Sequence, residues 1–423
     1  MRLLVGTMLL FGACSADFGV PNSGGGDAAI GPDLTIFGDL HGVDLLPVPP
    51  VGFCGSLAGL QYDAPWPMLG YCPTHQSRSP YLGARTGTIR WKKNILMQAR
   101  LTTPIVNSAG RLGVAHGLVG AVVEWYLAAD GSHLSTTGLT GSDSVRSVPA
   151  VGAGGNLIVN TDYWLVNADL VKDKVKWTVH TEAGDSSPVI DGRGVAYTGG
   201  WGLRAVEVAS GRVRWRVLES EGVGSSPALD LDGNVYFSSI NLSTLAATLR
   251  SCATDTGQLR WSFAIPKGSV WASPTIGENK TVYIGSEGGT LFAIDKDTGK
   301  QRWSFNAGGD SPALPAIGSD GTVFFGSGTG RFYAIDPVTG KARWTYDSGF
   351  AIRAGAVVDA DDTVYFGTLA RPPANNFYSL DGRTGAIRWV DALEGAFYGA
   401  PSIGADGTIY VIGDPVYLYA IGP

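Results

Sequence analysis

The chain has 423 residues, of which 16% are charged, 61 are Gly and 12 are Trp, and its formal net charge is −6. Low charge, abundant Gly and few long helix formers indicate an all-β protein with many turns. The negative charge argues against nucleic-acid binding, because nucleic-acid binders normally present a basic surface.

Residues 1–13 have the pattern of an export signal. One basic residue precedes an apolar run that is too short to span a bilayer as a folded helix. Gly12 and Ala13 stand directly before Cys14, an arrangement that resembles the lipobox of bacterial lipoproteins, although Phe11 stands where that pattern prefers Leu. We therefore predict a signal peptide over 1–13 and lipidation of Cys14, with simple secretion as the alternative.

Residues 14–60 are dominated by Gly, Pro and small polar residues, which predicts a flexible tether after Cys14. Cys54 and Cys72 flank a short segment, and in an oxidising compartment they either pair as a disulfide or stay free. Cys252 lies in an apolar strand pattern, which favours a buried free thiol. No Cys or His spacing in the chain is typical of a metal site.

A motif of the form Thr-Gly-x-x-x-Trp recurs through residues 61–423. With one close variant and one degenerate copy, its tryptophans are Trp91, Trp177, Trp215, Trp261, Trp303, Trp344 and Trp389. Residues 127–138 hold a further copy that has lost its Trp. Successive copies are about 42 residues apart, a period that indicates a propeller or a solenoid.

Each period contains four short β-rich runs separated by Gly, Asn, Asp and Thr turns, as in the blade of a β-propeller. The last repeat supplies three strands before the chain stops, and "ARTGTIRW" at 84–91 is a fourth strand without the first three. We predict that this N-terminal strand completes the last blade, because ring closure leaves no unpaired edge at the seam. The count is seven continuous blades and one composite blade, eight in all.

The sequences "AIDKDTGKQRW" at 293–303 and "AIDPVTGKARW" at 334–344 resemble the PQQ-like (pyrroloquinoline quinone type) β-propeller repeat family. The resemblance extends over roughly 66–423, and "WPMLGYCPTHQSRSPY" at 66–81 is similar to the lead-in that such propellers carry. It implies that the recurrent Trp residues dock neighbouring blades. Thr-Gly would form the turn between the third and fourth strands, and the Asp would accept its backbone hydrogen bonds.

The same resemblance leaves two functions open. The quinoprotein dehydrogenases of this family hold PQQ and calcium. Other members of the family include a propeller lipoprotein of the outer-membrane barrel-assembly machinery. The dehydrogenases typically carry adjacent cysteines and inserted loops, and this chain has no adjacent cysteines and compact repeats. The residues indicate no catalytic group and no metal site. PQQ with calcium therefore stays an alternative to a binding or assembly scaffold without a cofactor.

One column of the repeat varies while the rest stays regular. Seven blades have a Pro at the innermost strand, whereas the seventh blade in chain order has Ala356 there, and the residue three positions earlier lies where the chain reaches the central channel. This column reads Leu101, Arg146, Asp185, Gly224, Trp271, Pro312, Arg353 and Tyr398. We predict that Arg146, Asp185, Trp271, Arg353 and Tyr398 bind a ligand, for example a small molecule or carbohydrate; the alternative is a solvated rim.

Two aromatic residues, Trp201 and Trp164, and an inserted loop at 369–376 are further candidates for partner contacts. The alternative for both Trp residues is that they fold over their own blades. Together these features predict an exported propeller, monomeric and lipid-anchored at the periplasm or outer membrane. Its partners would be other envelope proteins.

Overall fold

The computed structural model describes residues 57, 59–61, 63–95, 102–117, 120–141, 143–182, 185–267, 272–309, 313–414 and 417–422. These residues form 32 β-strands and one 3₁₀ turn, Ala153–Gly155. The predicted signal peptide, Cys14, Cys54 and nearly all of the predicted tether lie outside them. Within these ranges, no helix is long and apolar enough to cross a bilayer.

The strands form eight blades of four antiparallel strands, which confirms the predicted all-β propeller. After β1 (Ile89–Asn94), the first two blades are β2 (Ile105–Val106), β3 (Arg111–His116), β4 (Ala121–Leu127) and β5 (His133–Thr140), then β6 (Ala150–Gly152), β7 (Asn156–Asn160), β8 (Trp164–Asp169) and β9 (Lys174–His180). Blades 3 and 4 are β10 (Val189–Ile190), β11 (Val195–Thr198), β12 (Gly200–Glu207) and β13 (Val213–Val223), then β14 (Ala228–Leu229), β15 (Asn234–Asn241), β16 (Ala247–Ala253) and β17 (Leu259–Ile265).

Blades 5 to 8 follow the same plan. Blades 5 and 6 are β18 (Thr275–Gly277), β19 (Thr281–Gly285), β20 (Thr290–Asp295) and β21 (Gln301–Asn306), then β22 (Ala316–Ile317), β23 (Val323–Gly326), β24 (Arg331–Ile335) and β25 (Ala342–Asp347). The last two are β26 (Val357–Val358), β27 (Thr363–Gly367), β28 (Phe377–Asp381) and β29 (Ile387–Asp391), then β30 (Ser402–Ile403), β31 (Ile409–Gly413), β32 (Tyr417–Ile421) and the N-terminal β1.

Blade 8 is the predicted composite blade. β1 pairs antiparallel with β32, so that Lys92 lies opposite Tyr419 and Trp91 opposite Ala420. A strand from the start of the propeller therefore completes the sheet formed by its end, and the ring closes through backbone hydrogen bonds.

Blades 3 and 4 depart from the repeat because the long strand β13 runs past its own blade. Its end pairs with β15, which joins the two blades into one eight-stranded sheet. Beside this junction Arg250 donates two hydrogen bonds to Glu221, at 2.7 and 2.9 Å, and both side chains are largely buried. Both bonds come from Nη2, and this charge-assisted pair ties the two blades together.

The recurrent tryptophans lie between neighbouring blades. Each indole N–H donates to a backbone carbonyl outside its own four strands, at 2.8 to 3.0 Å. In chain order the acceptors of Trp91, Trp177, Trp215, Trp261, Trp303, Trp344 and Trp389 are the carbonyls of Ala128, Val208, Thr254, Lys296, Pro337, Gly382 and Ala84. The last of these contacts returns to the residues that lead into β1, so the series joins every pair of neighbouring blades except blades 1 and 2.

The Thr-Gly turn supports this docking. Asp295 accepts hydrogen bonds from the backbone N–H and the hydroxyl of Thr298, at 2.9 and 2.8 Å. Gly299 has a φ of +71°, and a Cβ there would lie 2.7 Å from the ring of Trp261. Gly is therefore required both by the left-handed backbone and by the approach of the neighbouring Trp.

Blade 1 lacks the Trp on its outer strand and carries one on the adjacent strand instead. Trp125 of β4 lies opposite Ser135, which occupies the usual Trp register, and opposite Gly113 of β3. A Cβ on Gly113 would lie 2.8 Å from the Trp125 ring. Trp125 is 3% exposed and packs in the cluster that joins blade 1 to Val151 and Leu157 of blade 2. In blade 1 the docking indole therefore stands on the third strand instead of the fourth.

We expect Gly113→Val to lower the free energy of unfolding by about 1–3 kcal/mol, because the added atoms collide with Trp125 and Ile105 in a filled core. Urea unfolding followed by circular dichroism measures the change. Gly138→Ala, in β5 of the same blade, is the matched control, since nothing lies within 4 Å of its Cβ position. Equal unfolding curves for the two variants would contradict the assigned place of Trp125.

The lead-in segment, residues 66–81, lies inside the ring. It exchanges backbone hydrogen bonds with the innermost strands of six blades, through Val106, Val151, Leu229, Ile276, Ile317 and Val358, at 2.7 to 3.1 Å. Innermost strands would otherwise present unpaired N–H groups to the channel. The segment satisfies these edges, so it fills the channel as a plug.

The plug is as buried as the blades themselves. Trp66, Met68, Cys72 and His75 are each 0% exposed, and Leu60 before the segment is 1% exposed. Burial lowers the pKa of His75 to about 4, while its Nδ1 lies 3.2 Å from the carbonyl oxygen of Pro274. The neutral imidazole is therefore part of the packing at neutral pH.

Candidate functional site

A cavity of about 490 Å³ lies where the fourth strand of each blade connects to the first strand of the next. We call this cavity the cup. Arg146, Asp185, Arg353 and Tyr398 line it, from the connections that enter blades 2, 3, 7 and 8. Four of the five side chains predicted from the variable column therefore meet at one cavity.

The other members of the column fall into two groups. Gly224 lines the cup as well, without a side chain. Trp271, predicted to bind a ligand, and Leu101 and Pro312 lie outside the described residues. Arg146 and Arg353 come from blades far apart in sequence, yet the circular arrangement brings both to the same cavity.

Arg146 and Asp185 form a loose ion pair in the cup. The guanidinium Nη1 and the carboxylate Oδ1 are 3.8 Å apart, with Arg146 52% exposed and Asp185 19% exposed. Burial raises the pKa of Asp185, and although Arg146 opposes this rise, Asp162 adds to it. The carboxylate is thus only partly compensated by its neighbour, because Arg146 remains mostly in solvent.

Three serine side chains line the cup and were not predicted as site residues from the sequence. Ser187, Ser226 and Ser273 stand directly before the repeated Pro in blades 3, 4 and 5. The hydroxyl oxygens of Ser187, Ser226 and Ser273 accept the backbone N–H of Val148, Ser187 and Ser226, each at 2.9 Å. Their shared position before Pro was the signal in the sequence that could have located them.

The plug bounds the cup on one side. Leu69 of the lead-in segment and Val148 of blade 2 add the apolar part of its lining.

Cys72 of the plug is disulfide-bonded, and its Sγ lies 3.4 Å from the Thr74 hydroxyl. Its predicted partner Cys54 lies outside the described residues, so their pairing stays a prediction, whereas Cys252 is a buried free thiol.

The candidate contact residues differ in exposure. Trp201 is 42% exposed, at the junction of blades 3 and 4, opposite Gly222. Trp164 is half-buried and packs edge-to-face on His180, with ring centroids 4.9 Å apart. Of these two residues, Trp201 is therefore the one available to a partner.

The inserted loop 369–376 lies between β27 and β28, as predicted, and Arg371 and the two prolines after it are exposed. Its end is held by the Asn376 amide, whose Nδ2 donates to the carbonyls of Leu393 and Gly395 at 2.7 Å. The loop thus presents an exposed tip on an anchored base.

The cup lacks the ligands that a metal-bound quinone needs among its described residues. A calcium ion requires several oxygen ligands, carboxylates among them. Asp185 is the single carboxylate among the described residues of the cup. Across the described ranges of the chain, no group of three His, Cys, Asp or Glu side chains is placed to hold a metal ion. The described residues therefore do not fit a calcium-bound quinone.

The closed ring of eight blades with a plugged channel defines the class of protein as a β-propeller. Residues 245–421 match the family model described as "Outer membrane protein assembly factor BamB". No curated protein sequence matches the chain.

Solved structures extend the likeness to most of the chain. A europium-containing methanol dehydrogenase is 13% identical, with a TM-score of 0.70 over 82% of this chain and 89% of that one. Quinohemoprotein alcohol dehydrogenase from Comamonas testosteroni is 15% identical, with a TM-score of 0.66 over 86% of this chain and 81% of that one. BamB from Moraxella catarrhalis is 16% identical, with a TM-score of 0.61 over 79% and 98%. The fold is that of a PQQ-like β-propeller.

Proposed function

We propose that this chain is a non-catalytic binding or assembly scaffold of the cell envelope. The family model that matches 245–421 is named for an outer-membrane assembly factor, which supports an envelope role. The lipid predicted on Cys14 and the tether over 14–60 would hold a monomeric ring in the periplasm or at the outer membrane.

The observation that carries this proposal is the filling of the ring centre by the chain's own lead-in segment. Trp66 and Met68 are fully buried there, and Gln76 and Ser77 bind the strands of blades 6 and 7. A plugged ring offers its outer surface and its loops for contacts with partners.

A quinoprotein oxidoreductase is the alternative, since two of the similar structures are dehydrogenases. It requires a quinone and a metal at the centre of the ring. The cup offers one described carboxylate, Asp185, to such a metal. That donor set favours the scaffold over the oxidoreductase.

The experiment that tests the proposal has two arms. In the first, the full chain is mixed with PQQ with and without calcium, and the quinone absorbance and the thermal midpoint are recorded; we expect calcium to change neither. In the second, tagged protein is recovered from solubilised envelope as wild type, Trp201→Ala and Val171→Ala. We expect the same envelope partners with wild type and Val171→Ala and a reduced yield with Trp201→Ala.

Val171 is the matched control because it is 87% exposed and apolar, in the turn between β8 and β9, away from the junction of blades 3 and 4. Stoichiometric binding of PQQ that depends on calcium would overturn the scaffold proposal. Failure to recover any envelope protein with the wild-type chain would also count against it.

A further inference from the structure

The described polar side chains of the cup are mostly hydrogen-bond donors. Arg146 and Arg353 each carry a permanently charged guanidinium, and Tyr398 carries a phenol hydroxyl. Two arginines and one aspartate give these side chains a formal charge of +1. A cavity of this kind favours a ligand that accepts hydrogen bonds and carries negative charge.

The serines extend this donor surface. Within the described residues, the hydroxyls of Ser187, Ser226 and Ser273 accept backbone N–H groups and donate none of the assigned hydrogen bonds. Each hydroxyl therefore keeps its own hydrogen for another acceptor. Three such hydroxyls follow one another in register through blades 3 to 5 along the cup wall.

The size and the apolar lining describe the rest of the ligand. A cavity of about 490 Å³ is in the range of small-molecule sites. Leu69 and Val148 offer apolar contact beside the charged groups. An inorganic anion would leave these side chains unused, whereas an organic anion would cover them.

We propose that the cup binds a small organic carboxylate, with its charged group at Arg146 and Arg353 and its carbon skeleton against Leu69 and Val148. Asp185 competes with this ligand, because its carboxylate lies 3.8 Å from Arg146 and repels a second carboxylate. This site goes beyond the scaffold role and does not depend on it.

The test is isothermal titration of the full chain with phthalate, a dicarboxylate with an apolar ring. Arg146→Gln and Arg353→Gln are each expected to weaken binding about ten-fold, the effect of losing a hydrogen bond to a charged group. Asp185→Asn is expected to tighten binding, because it removes a competing and repelling charge without changing side-chain shape. The three substitutions thus predict effects of opposite sign at one cavity.

Arg371→Gln is the matched control, since this exposed arginine lies on the loop 369–376, outside the cup. It should leave phthalate binding unchanged, and circular dichroism should show the same fold for all variants. Phthalamide is the neutral ligand of equal shape, and inorganic phosphate is an anion without an apolar part. The proposal is overturned if phthalamide or phosphate binds as tightly as phthalate, if phthalate does not bind, or if Arg371→Gln has the same effect as the cup variants.

Discussion

Trp389→Ala is expected to lower the free energy of unfolding by about 3–5 kcal/mol, the usual cost of removing a large aromatic from a core. Trp389 is 9% exposed, packs against Tyr365 and Phe377 with ring centroids 5.9 Å away, and donates to the Ala84 carbonyl at 3.0 Å. The Tyr365 hydroxyl lies 3.1 Å from this carbonyl and 3.1 Å from the Asp359 carboxylate, so a donor remains beside the carbonyl in the variant. The expected loss therefore comes mainly from buried area and cavity formation.

Urea unfolding followed by circular dichroism measures this loss, with Trp201→Ala as the control. Trp201 is 42% exposed, so its removal should change the free energy of unfolding by less than about 1 kcal/mol. If both substitutions have equally small effects, Trp389 does not hold blade 7 to the residues that lead into β1.

Trp66→Ala is the second substitution with a large expected effect, again about 3–5 kcal/mol. Trp66 is fully buried in the plug, next to Tyr71 at 5.5 Å between ring centroids, and exchanges two backbone hydrogen bonds with Val106. Its loss should also loosen the lead-in segment. We expect trypsin to cut after Arg78 in the variant faster than in the wild-type chain, because Arg78 is half-buried.

Leu82→Ala is the control for this substitution, since Leu82 follows the lead-in segment and is 52% exposed. It should unfold like the wild type and leave Arg78 protected. Wild-type stability and protection in Trp66→Ala would contradict a plug that fills the channel.

The blade architecture could be predicted from sequence because the same motif recurs in most of the blades. A motif that recurs about every 42 residues marks the same turn and the same interface in each copy, so one interpretation of 293–303 applies to the others. The split last blade followed from the same register, since the strand after Ala84 lacked three partners. The exception was Trp125, which the motif could not reveal because its indole stands on the neighbouring strand.

The cup shows how far the same reasoning extends to a site. Arg146, Asp185, Arg353 and Tyr398 were found because they break a regular column, and in a closed ring one column faces one channel. The serines were missed because they are regular, so they had the appearance of structural residues. Leu69 was missed because it belongs to a segment outside the repeat.

The sequence by itself determined the eight blades, their closure and the column that faces the axis, because local pairing rules and a repeated period specify them. The tertiary structure decided what the axis contains. Residues 66–81 have no repeat, and their place depends on unpaired backbone groups of inner strands such as Val106 and Val358, far apart in the chain. Only closure of the ring brings those edges together around one segment. The plug and the cup beside it therefore exist only in the folded ring.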